Sequence, residues 1–263
     1  GFHMEVIGSA TATMLSRAFS MIAVLCLLRR PELIIRLRGY LSIRPIWSQI
    51  RRILYLGIPS GIENSMFQFG KLAIQSTVST LGTTAIAAQA MTIILENLNG
   101  IAAIGIGIGL MTIVGQCIGA GEKEQAVYYI KKLAVLSEVV VIICCLIIWG
   151  LTKPITMIAG MEPASADMCF YMMTVITIVK PIVWVPAFIP PYGLRAAGDV
   201  KFSMILSTCS MWIFRVSLCI YLCRAQGFGP IAVWIGMFTD WTVRSIVFTI
   251  RFHRRKWLDH KVV

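Results

Sequence analysis

Acidic residues are scarce in this sequence: 12 Asp and Glu stand against 24 Lys and Arg in 263 residues. Charged residues of both signs make up only 14%, whereas soluble domains usually carry about 25%. An ordinary soluble fold is thereby excluded. Histidine is almost missing, and His3, His253 and His260 all lie near the ends. With no CxxC either, no metal site is expected inside the fold. The glycines of GQCIGAGEKEQA (residues 115–126) are followed by no GK[ST] and preceded by no strand, which excludes a phosphate loop. No His is placed to pair with Ser or Asp and no nucleophile motif occurs, so the chain is not expected to be an enzyme or to need a cofactor. No charged n-region precedes an apolar core at the start, so no signal peptide is expected.

Hydrophobic residues, in contrast, make up 57% of the chain, and several apolar runs exceed the roughly 20 residues that cross a bilayer. The pattern predicts an all-α polytopic membrane protein with about seven transmembrane helices, at 6–28, 52–81, 84–118, 126–151, 164–191, 202–223 and 230–251. The net charge of +12 does not point to nucleic acid, because the basic residues sort by side. Seventeen Lys and Arg fall in alternate connections and the tail, while Lys153 and Arg224 alone fall on the other side. Positive residues stay cytoplasmic, so the N-terminus of this chain is expected outside and its C-terminus inside the cell membrane. The eight cysteines lie mostly in apolar spans, where a free thiol behaves as a small hydrophobe.

Polar residues inside such spans are expensive and mark function. In GIPSGIENSMFQFGKLAIQ (57–75), Ser60, Asn64, Gln68, Lys71 and Gln75 step by four, four, three and four residues and share one helix face. Glu63 stands beside that face. A second seam of Gln89, Thr92, Glu96 and Asn99 follows in the third span. Facing lipid would cost each carboxylate several kcal/mol, so both are expected to face a bundle interior or a wet cavity. In the fifth span Lys180 precedes Pro181, and Pro186, Pro190 and Pro191 follow. Proline removes backbone donors, and broken helices near the midplane are a habit of transporters. Asp240 and Arg244, four apart in the seventh span, are expected to form a structural ion pair. Ile34, Ile35, Leu37 and Leu41 alternate with Arg36, Arg38 and Arg44 in the basic stretch 29–51, which suits an interfacial segment on an anionic leaflet. A shift of 228 residues aligns Ile7, Gly8 and Thr11 with Ile235, Gly236 and Thr239, as if two helices each closed one repeat.

GSATATMLSR (8–17), LGIPSGIENSMFQFGK (56–71), VGQCIGAGEKEQA (114–126) and LRAAGDVKF (194–202) together resemble the C-terminal half of the multidrug and toxic compound extrusion (MATE) transporters. The resemblance implies two pseudo-symmetric six-helix lobes that export organic cations or drugs by alternating access, against inward sodium or protons. Residues 1–28 would then be the last helix of the preceding lobe and 29–51 the inter-lobe linker. Residues 52–253 would form the C-terminal six-helix lobe, and 254–263 a basic cytoplasmic tail. The expected partners are the lipid bilayer, a small cationic drug-like substrate, and either an N-terminal lobe or a second copy. Glu63 and Glu96 are the expected holders of the coupling ion or proton, with Asn64, Gln68, Gln89 and Asn99 as oxygen ligands. Lys71, Lys180, Pro181, Asp240 and Arg244 are secondary candidates. Family members often carry an acid where this chain has Phe67, and another in the helix where it has Lys180, with Asp167 only near that helix's outer end. Two other readings remain: a flippase for a lipid-linked oligosaccharide, which Lys71 and Lys180 favour, and a seven-helix receptor, against which stands the lack of DRY and NPxxY motifs.

Overall fold

The computed structural model describes residues 5–29 and 46–259. The interfacial segment expected within 29–51 and the end of the tail expected at 254–263 lie outside those residues. The chain divides into two compact units, Gly1–Arg51 and Arg52–Val263. The first unit holds α1 (Glu5–Leu28), an apolar helix with exposed Met14, Leu15 and Phe19 and an exposed Arg17. It also holds the first turn of α2 (Trp47–Val78).

The second unit continues α2 and adds α3 (Thr83–Gly119), α4 (Lys123–Ile158) and α5 (Pro163–Ala196). A sixth rod follows, built from α6 (Val200–Ser210), a π-helical segment (Met211–Val216) and α7 (Ser217–Ala225), and α8 (Ile231–His253) closes the unit. Among the described residues there is no strand, and seven helical rods cover the seven predicted stretches. Six of them are long and apolar enough to cross a membrane, and α2 is the exception. Its polar stripe lowers its mean hydropathy, as expected of a helix lining a cavity rather than facing lipid on all sides. At about 1.5 Å per residue, α3 and α4 run about 55 Å, well beyond a hydrocarbon core of about 30 Å, so they tilt or protrude.

The centre of the second unit is α5, which packs against α3, α4 and α8. Small residues permit the close approaches. A Cβ on Gly193 of α5 would come within 2.5 Å of Ile130 of α4, and one on Gly236 of α8 within 2.8 Å of the Arg215 backbone carbonyl. Buried Trp234, Trp241, Phe248, Met172, Met173 and Leu110 fill the space between these rods.

Two of the observed helix ends differ from the sequence expectation for an identifiable reason. Proline reads as a stop in sequence, yet α4 runs through Pro154 to Ile158 and α5 through Pro181, Pro186, Pro190 and Pro191 to Ala196. Each proline removes one donor, and neighbouring helices keep the helical path in place. The break expected in the fifth span is therefore not seen there. The irregular turn lies in the sixth rod, where no proline occurs between Val200 and Ala225.

One end of the unit is tied by ion pairs. Arg251 Nε at the end of α8 donates to Asp199 Oδ2 in the α5–α6 turn (2.8 Å), and Arg255 pairs with Glu124 at the start of α4 (2.6 Å). Lys201 lies over the Tyr55 ring of α2 at 5.1 Å. Hence the first part of α2, the start of α4, the α5–α6 turn and the C-terminal end of α8 share one end.

Candidate transport cavity

The polar seam of α2 and the seam of α3 meet in one cavity. It has a volume of about 810 Å³ and is walled by α2, α3, α5, the sixth rod and α8, within the usual range for small-molecule sites. Asn64, Gln68, Lys71 and Gln75 line its exposed side, while Glu63 is buried. Asn64 donates from Nδ2 to the Ser60 carbonyl at 3.0 Å, so its side-chain oxygen stays available. Aromatic side chains also line it, Trp184 and Phe188 from α5, Trp234 and Trp241 from α8, and Phe67 from α2.

Each carboxylate meets a cation from a different helix. Glu63 Oε1 on α2 accepts a bond from Arg195 Nη2 at 2.7 Å. Arg195 occupies the last turn of α5, where a positive side chain also complements the helix dipole. Glu96 Oε1 on α3 accepts from Lys180 Nζ on α5 at 2.6 Å. The same Nζ donates to the Glu96 carbonyl at 3.1 Å and to Asn99 Oδ1, and lies 5.1 Å from the centre of the Trp184 ring. Lys180 is fully buried, so three acceptors and an aromatic face replace the water it has lost.

A third charged cluster closes the α8 side. Asp240 Oδ1 accepts from Arg244 Nε at 2.7 Å and from the Ser210 hydroxyl. Arg244 Nη2 donates to the Ser207 carbonyl at 2.8 Å, and its guanidinium lies over Phe67 at 4.7 Å and Phe188 at 5.6 Å. The pairing of Asp240 with Arg244 follows their spacing. Gln89 Oε1 accepts from the Trp234 indole at 3.0 Å, while its amide Nε2 has no partner among the described residues.

The sequence profile described as MatE matches residues 59–221, well over half of the sequence. The chain belongs to the MatE family. Its relatives include the "Probable multidrug resistance protein NorM" of Thermotoga maritima, 28% identical over 262 residues, covering 99% of this chain and 56% of that protein. A structure described as the outward-facing conformation of a multidrug resistance MATE family transporter superposes with a TM-score of 0.73. It is 16% identical, covering 95% of this chain and 56% of that one. A MOP superfamily transporter from Pyrococcus furiosus superposes at 0.71 with 21% identity, covering 78% of this chain and 45% of that one. Its structure is described as having a binding pocket of reverse polarity that suggests a different function. Both superpositions are likenesses of fold. The chain spans about half the length of these proteins. The match sets the seven-helix receptor reading aside.

In this MatE chain the residues singled out by sequence fall into two groups. Glu63, Asn64, Gln68, Lys71, Gln89, Glu96 and Arg244 line the cavity. Asn99, Lys180 and Asp240 stand behind them as hydrogen-bonding partners, and Pro181 follows Lys180 on α5. Phe67 forms part of the wall, while Asp167 is exposed and outside the lining. Sequence reasoning missed Arg195 and Arg215 as cavity residues. Ending the fifth predicted span at Pro190 and Pro191 put Arg195 in a loop, although a helix continued by five residues carries it to Glu63. Among the described residues no three His, Cys, Asp or Glu side chains are placed to hold a metal ion.

Proposed function

We propose that this chain forms the substrate-binding lobe of a secondary active exporter of drug-like organic compounds. Alternating access would be driven by antiport with sodium or protons, in the cell membrane. The observation that carries the reading is the cavity itself, in which a polar seam meets aromatic side chains and two carboxylates from different helices are held by α5. Membership of the MatE family and a relative named for multidrug resistance support it. In this reading the lobe works in the bilayer beside an N-terminal lobe or a second copy of itself. The N-terminus of the chain lies outside and its C-terminus inside.

The two ion pairs supply a coupling device. Glu63–Arg195 joins α2 to α5, and Glu96–Lys180 joins α3 to α5. A proton on either carboxylate, or a sodium ion beside it, weakens its hold on the α5 cation and frees α5 to shift. Such a discrete exchange of contacts is what a two-state transporter needs. Asn64, Gln68, Gln89 and Asn99 supply oxygens for an incoming ion. A cationic substrate competes for the same carboxylates and must displace Arg195 or Lys180 to reach them.

The test is ethidium efflux from cells carrying the chain joined to an N-terminal MatE lobe. Efflux is expected, and Glu63→Gln and Glu96→Gln are each expected to lower it at least about tenfold, the effect of about 1.4 kcal/mol. Full export by both variants would overturn the coupling role.

A second reading, the flippase for a lipid-linked oligosaccharide, is favoured by the basic lining of the cavity, where Lys71, Arg195, Arg215 and Arg244 accompany two acids. Movement of a labelled polyprenyl-linked sugar across vesicles, without dye efflux, would select it.

A further inference from the structure

Arg215 is the one cavity cation among the buried set that none of the ion pairs absorbs. It projects from the π-helical segment Met211–Val216, lines the cavity and is 9% exposed. Lys180 is held by Glu96, Arg195 by Glu63 and Arg244 by Asp240. Arg215 has neither a hydrogen bond nor an ion pair among the described residues, and its Nε is buried without a partner. On α8, Asp240 Oδ2 is likewise buried without a partner among the described residues. Its Oδ1 is bonded to Arg244 and Ser210, and that carboxylate makes no ion pair with Arg215 among the described residues.

A buried guanidinium without an acceptor is costly, because it loses hydration and gains nothing in return. π-helical turns inside α-helices occur frequently at functional sites. Gly236 of α8 fits against the backbone of this turn, with the Arg215 carbonyl where a Cβ would stand, and Met211 and Val216 pack on Gly70 of α2. The backbone that carries Arg215 is therefore fixed from two sides. Over the whole cavity, Lys71, Lys180, Arg195, Arg215 and Arg244 stand against Glu63, Glu96 and Asp240, leaving a positive excess.

We propose that the same cavity also takes amphipathic anions: Arg215 binds their carboxylate or phosphate, and the apolar body lies along the aromatic side chains. This rests on reading the cavity as the substrate site. A guanidinium gives an oxyanion two parallel N–H donors, and such charge-assisted bonds are about twice as strong as neutral ones. Lys71, exposed on the same cavity and with no ion pair among the described residues, draws the anion toward the site.

Calorimetric titration of the purified full chain with 4-phenylbutyrate and with its neutral amide, 4-phenylbutyramide, tests this. The acid is expected to bind at least about tenfold more tightly than the amide, as one charge-assisted bond allows. Arg215→Gln is expected to reduce that ratio to near one, and Arg215→Lys to keep most of it, with helix content followed by circular dichroism in both. Equal binding of acid and amide by the native chain, or an unchanged ratio in Arg215→Gln, overturns the proposal while leaving the cavity reading in place. Binding of neither compound overturns both. Repeating the titration in phosphatidylcholine nanodiscs with and without phosphatidic acid identifies the source of the oxyanion. Competition by phosphatidic acid assigns the site to a lipid headgroup, and undiminished binding assigns it to a soluble acid.

Discussion

Lys180 shows how a charge is kept inside an apolar lobe. It is buried completely, and its three hydrogen atoms have acceptors on Glu96 and Asn99. Such a pair need not be more stable than a well-packed apolar one, but removing a single partner leaves the other charge stranded. Lys180→Met is therefore expected to destabilise the lobe by about 3–5 kcal/mol. The double variant Lys180→Met with Glu96→Gln should recover much of that loss. Thermal unfolding of the purified proteins measures both, and equal midpoints for native and Lys180→Met would refute the account. Glu63–Arg195 is more open to solvent, because 26% of the Arg195 side chain is exposed, so its loss should affect stability less.

At the scale of elements, the sixth rod and α8 meet through a glycine. A Cβ at Gly236 would lie 2.8 Å from the Arg215 carbonyl, a backbone atom that no rotamer change moves aside. Gly236→Val should push α8 off the π segment and cost about 1–3 kcal/mol as overpacking. A Cβ at Gly150 of α4 meets nothing within 4 Å, so Gly150→Ala is expected to be near neutral. Thermal midpoints of the two variants separate the cases, and a silent Gly236→Val would show that the turn yields. Gly236 is also one of the positions aligned by the internal echo. In both echoed stretches the threonine makes the same local bond, Thr11 to the Ile7 carbonyl and Thr239 to the Ile235 carbonyl, each at 2.9 Å. Threonine makes that bond in many helices, so it adds only modestly to the case for a repeat.

For the molecule as a whole, the distribution of basic residues predicts an orientation. The start of α4, the α5–α6 turn and the end of α8 share one end and carry most of the connection charge. That end is expected in the cytoplasm. In a cysteine-free background, Glu122→Cys should resist a membrane-impermeant maleimide in intact cells, while Glu162→Cys should react. Both positions are exposed in the turns at opposite ends of α4. The reverse labelling pattern would invert the topology.

The sequence by itself determined the class of protein, the seven helical stretches, the polar seams on α2 and α3 and the Asp240–Arg244 pair. All of these depend on local periodicity or on composition, which spacing along the chain records. It determined the acids of the cavity but not their partners. Glu63 and Arg195 are 132 residues apart and Glu96 and Lys180 are 84 apart, and no spacing rule reaches that far. Tertiary packing carried α5 through its proline pair, set Arg195 against Glu63 and left Arg215 without an acid. Whether a buried charge is paired depends on which helices are neighbours, and the packing of α3, α4 and α8 around α5, with Arg195 reaching Glu63 of α2, decided that.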